Sequence, residues 1–228
     1  MSSVRTGLEC VLFDLDGTLI DTAADFVQVL NVMADEESVA RVDASRITQT
    51  VSDGARGLVR LVFSLEAGQA DFDRLLQRLL DLYYEQLLNT RAELYPGLDA
   101  LLKNLEANGV HWGIVTNKPE KYTLRLLEQL QLATRCSILI CPDHVSNKKP
   151  HPEPLLLACE RLACNIEKTA YVGDHIRDMQ AAKSADLIAI AAAYGYPGEN
   201  QNIEDWHADF VVQVPQDLEK LLGMLQFA

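Results

Sequence analysis

Cys10-Val11-Leu12-Phe13-Asp14-Leu15-Asp16-Gly17-Thr18-Leu19-Ile20-Asp21 is the stretch on which the reading of this 228-residue chain turns. Val11, Leu12 and Phe13 form a short apolar run, the pattern of a parallel strand buried on both faces. Two carboxylates follow, Asp14 and Asp16, and their alternate spacing is expected to place both on one side of an extended strand tip. Gly17 lets the backbone turn, and the Thr18 hydroxyl can cap or bind. Two like charges at the carboxyl end of a strand repel unless one stays protonated or a cation joins them. Magnesium, a hard cation that takes oxygen ligands, removes the conflict. A polar turn after a core strand is the plain alternative, and matching parts further along the chain weigh against it.

Outward from this stretch the pattern becomes helical. Asp21 stands where a helix cap belongs, and Phe26, Val29, Leu30 and Met33 recur at helical spacing. Leu58, Val59, Leu61 and Val62 continue it, and Phe72 to Leu88 carries Leu75, Leu76, Leu79, Leu80, Tyr83 and Leu87. With few strand signals in this region, residues 21–95 read as an all-helical lid inserted directly after the first strand. Within it, Val51-Ser52-Asp53-Gly54-Ala55-Arg56-Gly57 suggests a loop and helix start whose N–H groups can meet an anion. Arg56 would add a forked, fixed positive charge for substrate; a helix cap with a solvent-facing arginine is the competing reading.

Tyr95-Pro96-Gly97 returns the chain to alternating helices and strands. Leu98 to Asn108 is a helix stopped by Asn108-Gly109, and His111 to Val115 is a strand that delivers Thr116-Asn117-Lys118-Pro119. A helix from Glu120 to Leu130 leads to a strand over Ser137 to Ile140. Next comes Lys148-Lys149-Pro150-His151-Pro152, a loop stiffened by proline. Ala170-Tyr171-Val172 is a strand ending in Gly173-Asp174-His175-Ile176-Arg177-Asp178. Leu187 to Ala193 and Phe210 to Val214 give the fifth and sixth strands, and a helix closes the chain. Residues 1–20 and 96–228 thus read as an α/β, doubly wound, Rossmann-like parallel core. Open sheets of this kind bind ligands at the carboxyl ends of their strands.

Asp14-Leu15-Asp16-Gly17-Thr18 resembles the first motif of the haloacid dehalogenase superfamily. Thr116 at a strand end, Lys149-Pro150-x-Pro152, and Gly173-Asp174 with Asp178 resemble its second, third and fourth, in order. The helical insert matches the small cap that some members place after the first strand. The resemblance implies that Asp14 attacks phosphorus and Asp16 is the general acid and base. It also implies that the Thr116 hydroxyl and the following Asn117 N–H hold a phosphoryl oxygen, while Lys149 neutralises nucleophile and phosphate. Asp14, Asp16 and Asp174 would bind Mg2+, with Asp178 supporting the metal through water or orienting Lys149. Lys148 is the competing lysine, and the proline spacing favours Lys149. The Pro96-Gly97 point and the segment after Asp16 would act as paired hinges. His175 stands where members of the family often have Ser or Thr. A packing role suits it better than a ligand role, since hard magnesium prefers oxygen.

A dehalogenase needs no acid for a halide leaving group, so the retained Asp16 favours a phosphatase. The layout resembles phosphoglycolate phosphatases. Val51 to Arg56, Trp112 to Pro119, Cys141 to Val145 and Trp206 to Asp209 look closer to the phosphatases of amino-sugar phosphates in bacterial cell-wall recycling. N-acetylmuramic acid 6-phosphate is therefore the expected substrate and 2-phosphoglycolate the alternative. A phosphosugar mutase of the same fold and a non-enzymatic binding module are the remaining classes.

Composition sets the limits. A formal charge of −13 argues against nucleic acid as partner; the resemblance implies a small phosphorylated metabolite as partner, and a monomer or homodimer is expected. No apolar run approaches the roughly 18–20 residues that span a bilayer, and no signal peptide is visible at the N-terminus. The five cysteines lack Cys-x-x-Cys spacing and read as reduced thiols of a cytoplasmic protein.

Overall fold

The computed structural model describes residues 7–198 and 201–227. The chain runs β1 (Cys10–Phe13), β2 (Ile20–Asp21), α1 (Ala23–Glu36), α2 (Ala44–Thr50), α3 (Gly54–Phe63), α4 (Phe72–Gln86), β3 (Glu93–Leu94), α5 (Leu98–Ala107), β4 (His111–Val115), α6 (Glu120–Gln129), β5 (Ile138–Ile140), α7 (Glu153–Leu162), β6 (Thr169–Gly173), α8 (Ile176–Ser184), β7 (Ile188–Ala192), β8 (Phe210–Val212) and α9 (Asp217–Phe227). Six strands form one parallel sheet in the order β5-β4-β1-β6-β7-β8.

β1 lies between β4 and β6, with Phe13 registered against Ile114 on one side and Val172 on the other. Its four residues are fully buried, as an unbroken apolar run in a parallel sheet requires. Burying a Leu or Phe side chain contributes about 1.5–3 kcal/mol each, so this strand anchors whatever follows it. Alternate side chains face opposite ways along a strand. Val11 and Phe13 accordingly join the core under α5, α6 and α9, while Cys10 and Leu12 join the one under α7 and α8. Covering both faces makes the sheet doubly wound and leaves the strand ends open for a site.

Between β1 and α5 the chain forms the four helices α1 to α4. Phe26, Val29, Leu30 and Met33 of α1 are buried, as are Leu75, Leu79 and Tyr83 of α4, so the periodic stripes pack inward. Asp25 is fully buried in α1 and is satisfied by Gln86 Nε2 at the end of α4 (3.0 Å) and, from the return segment, by the Thr90 hydroxyl and Arg91 N–H (2.9 Å). At the base of the insert, β2 and β3 pair antiparallel, Ile20 with Leu94 and Asp21 with Glu93. Two-residue strands carry no periodic signal, so this ladder was not expected. Asp21 accepts from Ala23 N–H at 3.1 Å, although Thr22 is the residue at the N-cap position.

Candidate active site

The site assembles where β1, β4 and β6 end. Asp14 follows β1, and its Oδ1 accepts from Leu15 N–H at 2.7 Å and pairs with Lys149 Nζ at 2.9 Å. Lys149 is nearly fully buried. Its ammonium also meets Asp178 Oδ1 at 2.8 Å and the Tyr171 hydroxyl at 2.6 Å. Burial opposes the charge, but the carboxylates of Asp14 and Asp178 outweigh it, so the Lys149 pKa is raised. Lys148, by contrast, is exposed at the cavity rim.

Asp174 is fully buried. Its Oδ1 accepts from the Thr18 hydroxyl (3.1 Å), and its Oδ2 from the Ser52 hydroxyl and Tyr196 N–H (both 2.9 Å). Burial, then the neighbouring charges of Asp14 and Asp178, pushes its pKa up to about 7. Burial likewise raises that of Asp14, against the pull of Lys149. Carboxylate oxygens of Asp14, Asp174 and Asp178 lie within 4.8 Å of one another. Three carboxylates against one ammonium leave two negative charges together, a deficit that a divalent cation cancels. All the donors are oxygen, the set that magnesium takes.

The backbone is shaped to this trio. A Cβ on Gly17 would stand 2.2 Å from Asp174 Oδ2, one on Gly195 2.5 Å from Asp174 Cβ, and one on Gly173 2.4 Å from Asp178 Cβ. Gly17 also takes φ +79°, which an L side chain rarely adopts.

The carboxylate of Asp16 stands apart from the three clustered ones. The strand ends at Phe13, and Thr18, Leu19 and Ile20 all donate backward to Leu15 O. The chain at Asp16 is therefore turning, and alternation no longer holds. Asp16 Oδ1 accepts from the Thr22 hydroxyl at 2.6 Å and from Lys118 Nζ at 2.8 Å. Both Asp14 and Asp16 still line one cavity.

Thr116 is buried, and its Oγ1 accepts from Lys118 N–H at 3.2 Å, so the hydroxyl proton remains available to a ligand. Asn117 lines the same cavity, with its side-chain amide donating to Lys149 O at 3.0 Å. Asp178 orients Lys149 and accepts from His175 N–H at 3.1 Å. His175 caps α8, its Nδ1 accepting from Arg177 N–H at 3.1 Å.

The cavity measures about 380 Å³. Ser52, Arg56, Leu76 and Leu80 line it from the insert, and His175 and Arg177 from the core. Arg56 is exposed, its guanidinium 5.9 Å from the Phe72 ring centre. A smaller apolar recess of about 110 Å³ adjoins it behind Asp16, walled by Phe26, Leu79, Tyr83, Pro119 and Tyr122.

Three contributors were missed in the sequence. Lys118 sits in plain view after Thr116-Asn117 but shows its function only through Asp16. Ser52 reaches Asp174 from the insert, and Arg177 Nη2 donates to Ser52 O at 2.7 Å. Tyr196 serves both ends of the site. Its N–H holds Asp174, while its hydroxyl meets Asp21 at 2.5 Å and accepts from Thr22 and Ala23 N–H at 2.9 and 3.1 Å. Residues 199–200 of the same return segment lie outside the described residues.

A parallel α/β sheet whose strand ends gather aspartates around a buried lysine defines the class, an acid-rich hydrolase site of the doubly wound type. The chain belongs to the haloacid dehalogenase-like hydrolase family, whose model matches residues 11–192. It is 39% identical over 215 residues to the N-acetylmuramic acid 6-phosphate phosphatase of Pseudomonas putida, covering 94% of this chain and 96% of that protein. It is 38% identical to a phosphoglycolate phosphatase of Xanthomonas campestris, over 91% of this chain and 93% of that one. The crystal structure of a predicted phosphoglycolate phosphatase from Haemophilus somnus shares the fold, with a TM-score of 0.83 at 24% identity over 94% of this chain and 98% of that chain.

Proposed function

We propose that the protein is a magnesium-dependent phosphomonoester hydrolase that works through an aspartyl-phosphate on Asp14, and that its substrate is N-acetylmuramic acid 6-phosphate. The observation that carries the reaction is the state of Asp14. One of its oxygens is pinned by Lys149 and Leu15 N–H at the wall of a cavity, which leaves Oδ2 as the attacking atom.

Asp14 Oδ2 forms a bond to phosphorus as the bond to the ester oxygen breaks, and Asp16 gives that oxygen a proton. Water then attacks the aspartyl-phosphate, loses its proton to Asp16, and releases inorganic phosphate with Asp14 restored. Splitting the reaction in two is the gain from covalent catalysis, and the acid and base help contributes roughly 10²–10⁴ in rate. Thr116 and Asn117 hold phosphoryl oxygens, and Lys149 offsets their charge. A magnesium ion held by Asp14, Asp174 and Asp178 would supply further positive charge to the transferring phosphoryl group. The insert, residues 21–95, acts as the cap that keeps water out of the cavity during the first step.

The size of the site supports the sugar. About 380 Å³ falls within the roughly 300–1,000 Å³ of pockets for drug-sized ligands, and the apolar recess gives a substituent a place. A two-carbon acid leaves most of this space empty. Arg56 faces the same space as an anion contact. The relative from P. putida supports the same choice; the one from X. campestris supports 2-phosphoglycolate as the second reading. All five cysteines are free thiols, three of them buried, which supports a reducing compartment such as the cytoplasm. No helix among the described residues is long and apolar enough to cross a membrane.

The test is magnesium-dependent phosphate release from N-acetylmuramic acid 6-phosphate, 2-phosphoglycolate, glucose 6-phosphate and β-glucose 1-phosphate, with Asp14→Asn alongside. Selective release from the amino sugar, lost in the variant, is the expected result. A preference for 2-phosphoglycolate would overturn the substrate, and a requirement for a bisphosphate activator would indicate a mutase. Turnover that survives Asp14→Asn would overturn the mechanism.

A further inference from the structure

Lys118 is an unexpected cation. Its side chain is 6% exposed, and no phosphoryl-binding role accounts for it. The ammonium contacts both oxygens of Asp16, at 2.8 and 3.1 Å. Its other hydrogen bond and its ring contacts come from the helical insert. The Tyr83 hydroxyl on α4 lies 2.8 Å from Nζ, and the rings of Tyr83 and Phe26 lie with their centres 4.6 and 5.2 Å from it. Those two rings stack on each other at 4.3 Å with planes 5° apart. Phe26 belongs to α1, so both long helices of the insert converge on this one ammonium.

Taking an ammonium out of water is expensive unless each face finds a partner. Here the partners divide by origin. Asp16 is from the core; the hydroxyl and the aromatic faces are from the insert, and cation–π attraction strengthens when the cation is desolvated. The insert therefore supplies the hydroxyl and aromatic partners of the ammonium that holds Asp16. Thr22, the other donor to Asp16, precedes α1 at the edge of the insert, so one of the two side chains that hold this carboxyl comes from the core and the other from the insert.

We propose that Tyr83 and Lys118 form a positioning relay by which the helical insert sets the carboxyl of Asp16 for proton transfer to the leaving oxygen. The inference rests on the reading of Asp16 as general acid. Neither residue touches the phosphoryl group; Lys118 acts through Asp16, and Tyr83 through Lys118. A misplacement of about 1 Å can lower a rate by about 10², which is the scale such a relay controls.

A defect in placing the acid shows only when the leaving group needs a proton. The experiment compares kcat/KM for N-acetylmuramic acid 6-phosphate with that for p-nitrophenyl phosphate, whose phenolate leaves unaided. 2-Phosphoglycolate, also an alkyl ester, replaces the first should it be the better substrate. Asp16→Asn, Tyr83→Phe and Lys118→Met are measured with thermal unfolding as the check on folding. Tyr83→Phe keeps the stacked ring and removes only the hydroxyl, so it remains informative if Lys118→Met fails to fold.

The expected result for Asp16→Asn is an alkyl-ester loss of roughly 10²–10⁴ with a much smaller aryl-ester loss. Tyr83→Phe is expected to lose about tenfold and Lys118→Met about a hundredfold on the alkyl ester, each within about threefold of wild type on the aryl ester. If Asp16→Asn is selective but Tyr83→Phe loses nothing, or loses equally on both esters, the relay is wrong while the acid stands. If Asp16→Asn itself is unselective, the reading of Asp16 falls and the relay with it.

Discussion

Chelating divalent cations should leave a protein that weakens as the pH rises through neutrality, and Asp174 is the reason. Its folded-state pKa is held at about 7, against 3.8 for the free side chain, by burial and by Asp14 and Asp178. A carboxyl whose pKa is raised on folding contributes stability that is fully present below its unfolded value and lost as the pH climbs through the folded one. The window is therefore about pH 4 to 7. Within it, at about 1.4 kcal/mol per pH unit, the loss has an upper limit of about 4 kcal/mol. Part of the rise at Asp174 comes from the charge of Asp14, whose own pKa burial raises, so about half that figure is the working expectation for the single site. At roughly 2–4 °C per kcal/mol for a chain of this size, Tm falls by about 5 °C.

Other groups titrate over the same range, so the measurement is a difference. Asp174→Asn has the same shape and no charge to lose. The new amide can keep its oxygen toward Ser52 and Tyr196 N–H while its nitrogen donates to Thr18 Oγ1. In chelator, wild type and variant should have similar Tm near pH 4.5 and diverge toward pH 8, the variant becoming the more stable. Saturating Mg2+ at pH 8 should raise wild type above the variant, since a ligand bound only by the native state stabilises it. Parallel pH profiles in chelator would refute the reasoning, because the cost of ionising Asp174 would then be absent.

Two further outcomes follow from the same cluster. Lys149→Met leaves the carboxylates of Asp14 and Asp178 buried without their cation and should cost about 3–5 kcal/mol in chelator by urea unfolding; Mg2+ should restore much of that stability but not turnover. Equal loss with and without Mg2+ would argue against a shared site. Gly195→Ala puts a Cβ 2.1 Å from Gly17 O and 2.5 Å from Asp174 Cβ, an overpacking worth about 1–3 kcal/mol. Calorimetric Mg2+ titration should show weakened binding, and unchanged affinity would mean the backbone there has slack.

The legible part of this molecule is the part built by strand ends. Val11 to Phe13 announces a buried strand because every side chain there must be apolar, and Asp14 inherits its place from that strand. Lys149 could be told from Lys148 because prolines frame it. The partners of Asp16 are not legible from alternation, because Leu15 O already collects the N–H groups of a turn there. The β2–β3 ladder is too short to leave a pattern.

What stayed hidden is the contact between insert and core. Tyr83 and Lys118 are 35 residues apart, Ser52 and Asp174 are 122 apart, and Tyr196 and Asp21 are 175 apart. Periodicity reports which face of a helix is apolar, not which strand end that face meets. These hidden contacts share a direction. Ser52 donates to the buried carboxylate of the candidate metal site, and Tyr83 holds the lysine that holds Asp16, so two of the site's aspartates are each tied to the insert by a hydrogen-bonded contact. A helical lid attached only at its base could rest anywhere over the cavity. One that supplies partners to Asp174 and Lys118 has a preferred seat, because leaving it strips hydrogen bonds from charged groups, worth about 1.5–3 kcal/mol apiece. The proposed catalytic residues and those that place the insert are thus in contact; strand-end motifs point to the first group, and no sequence pattern points to the second.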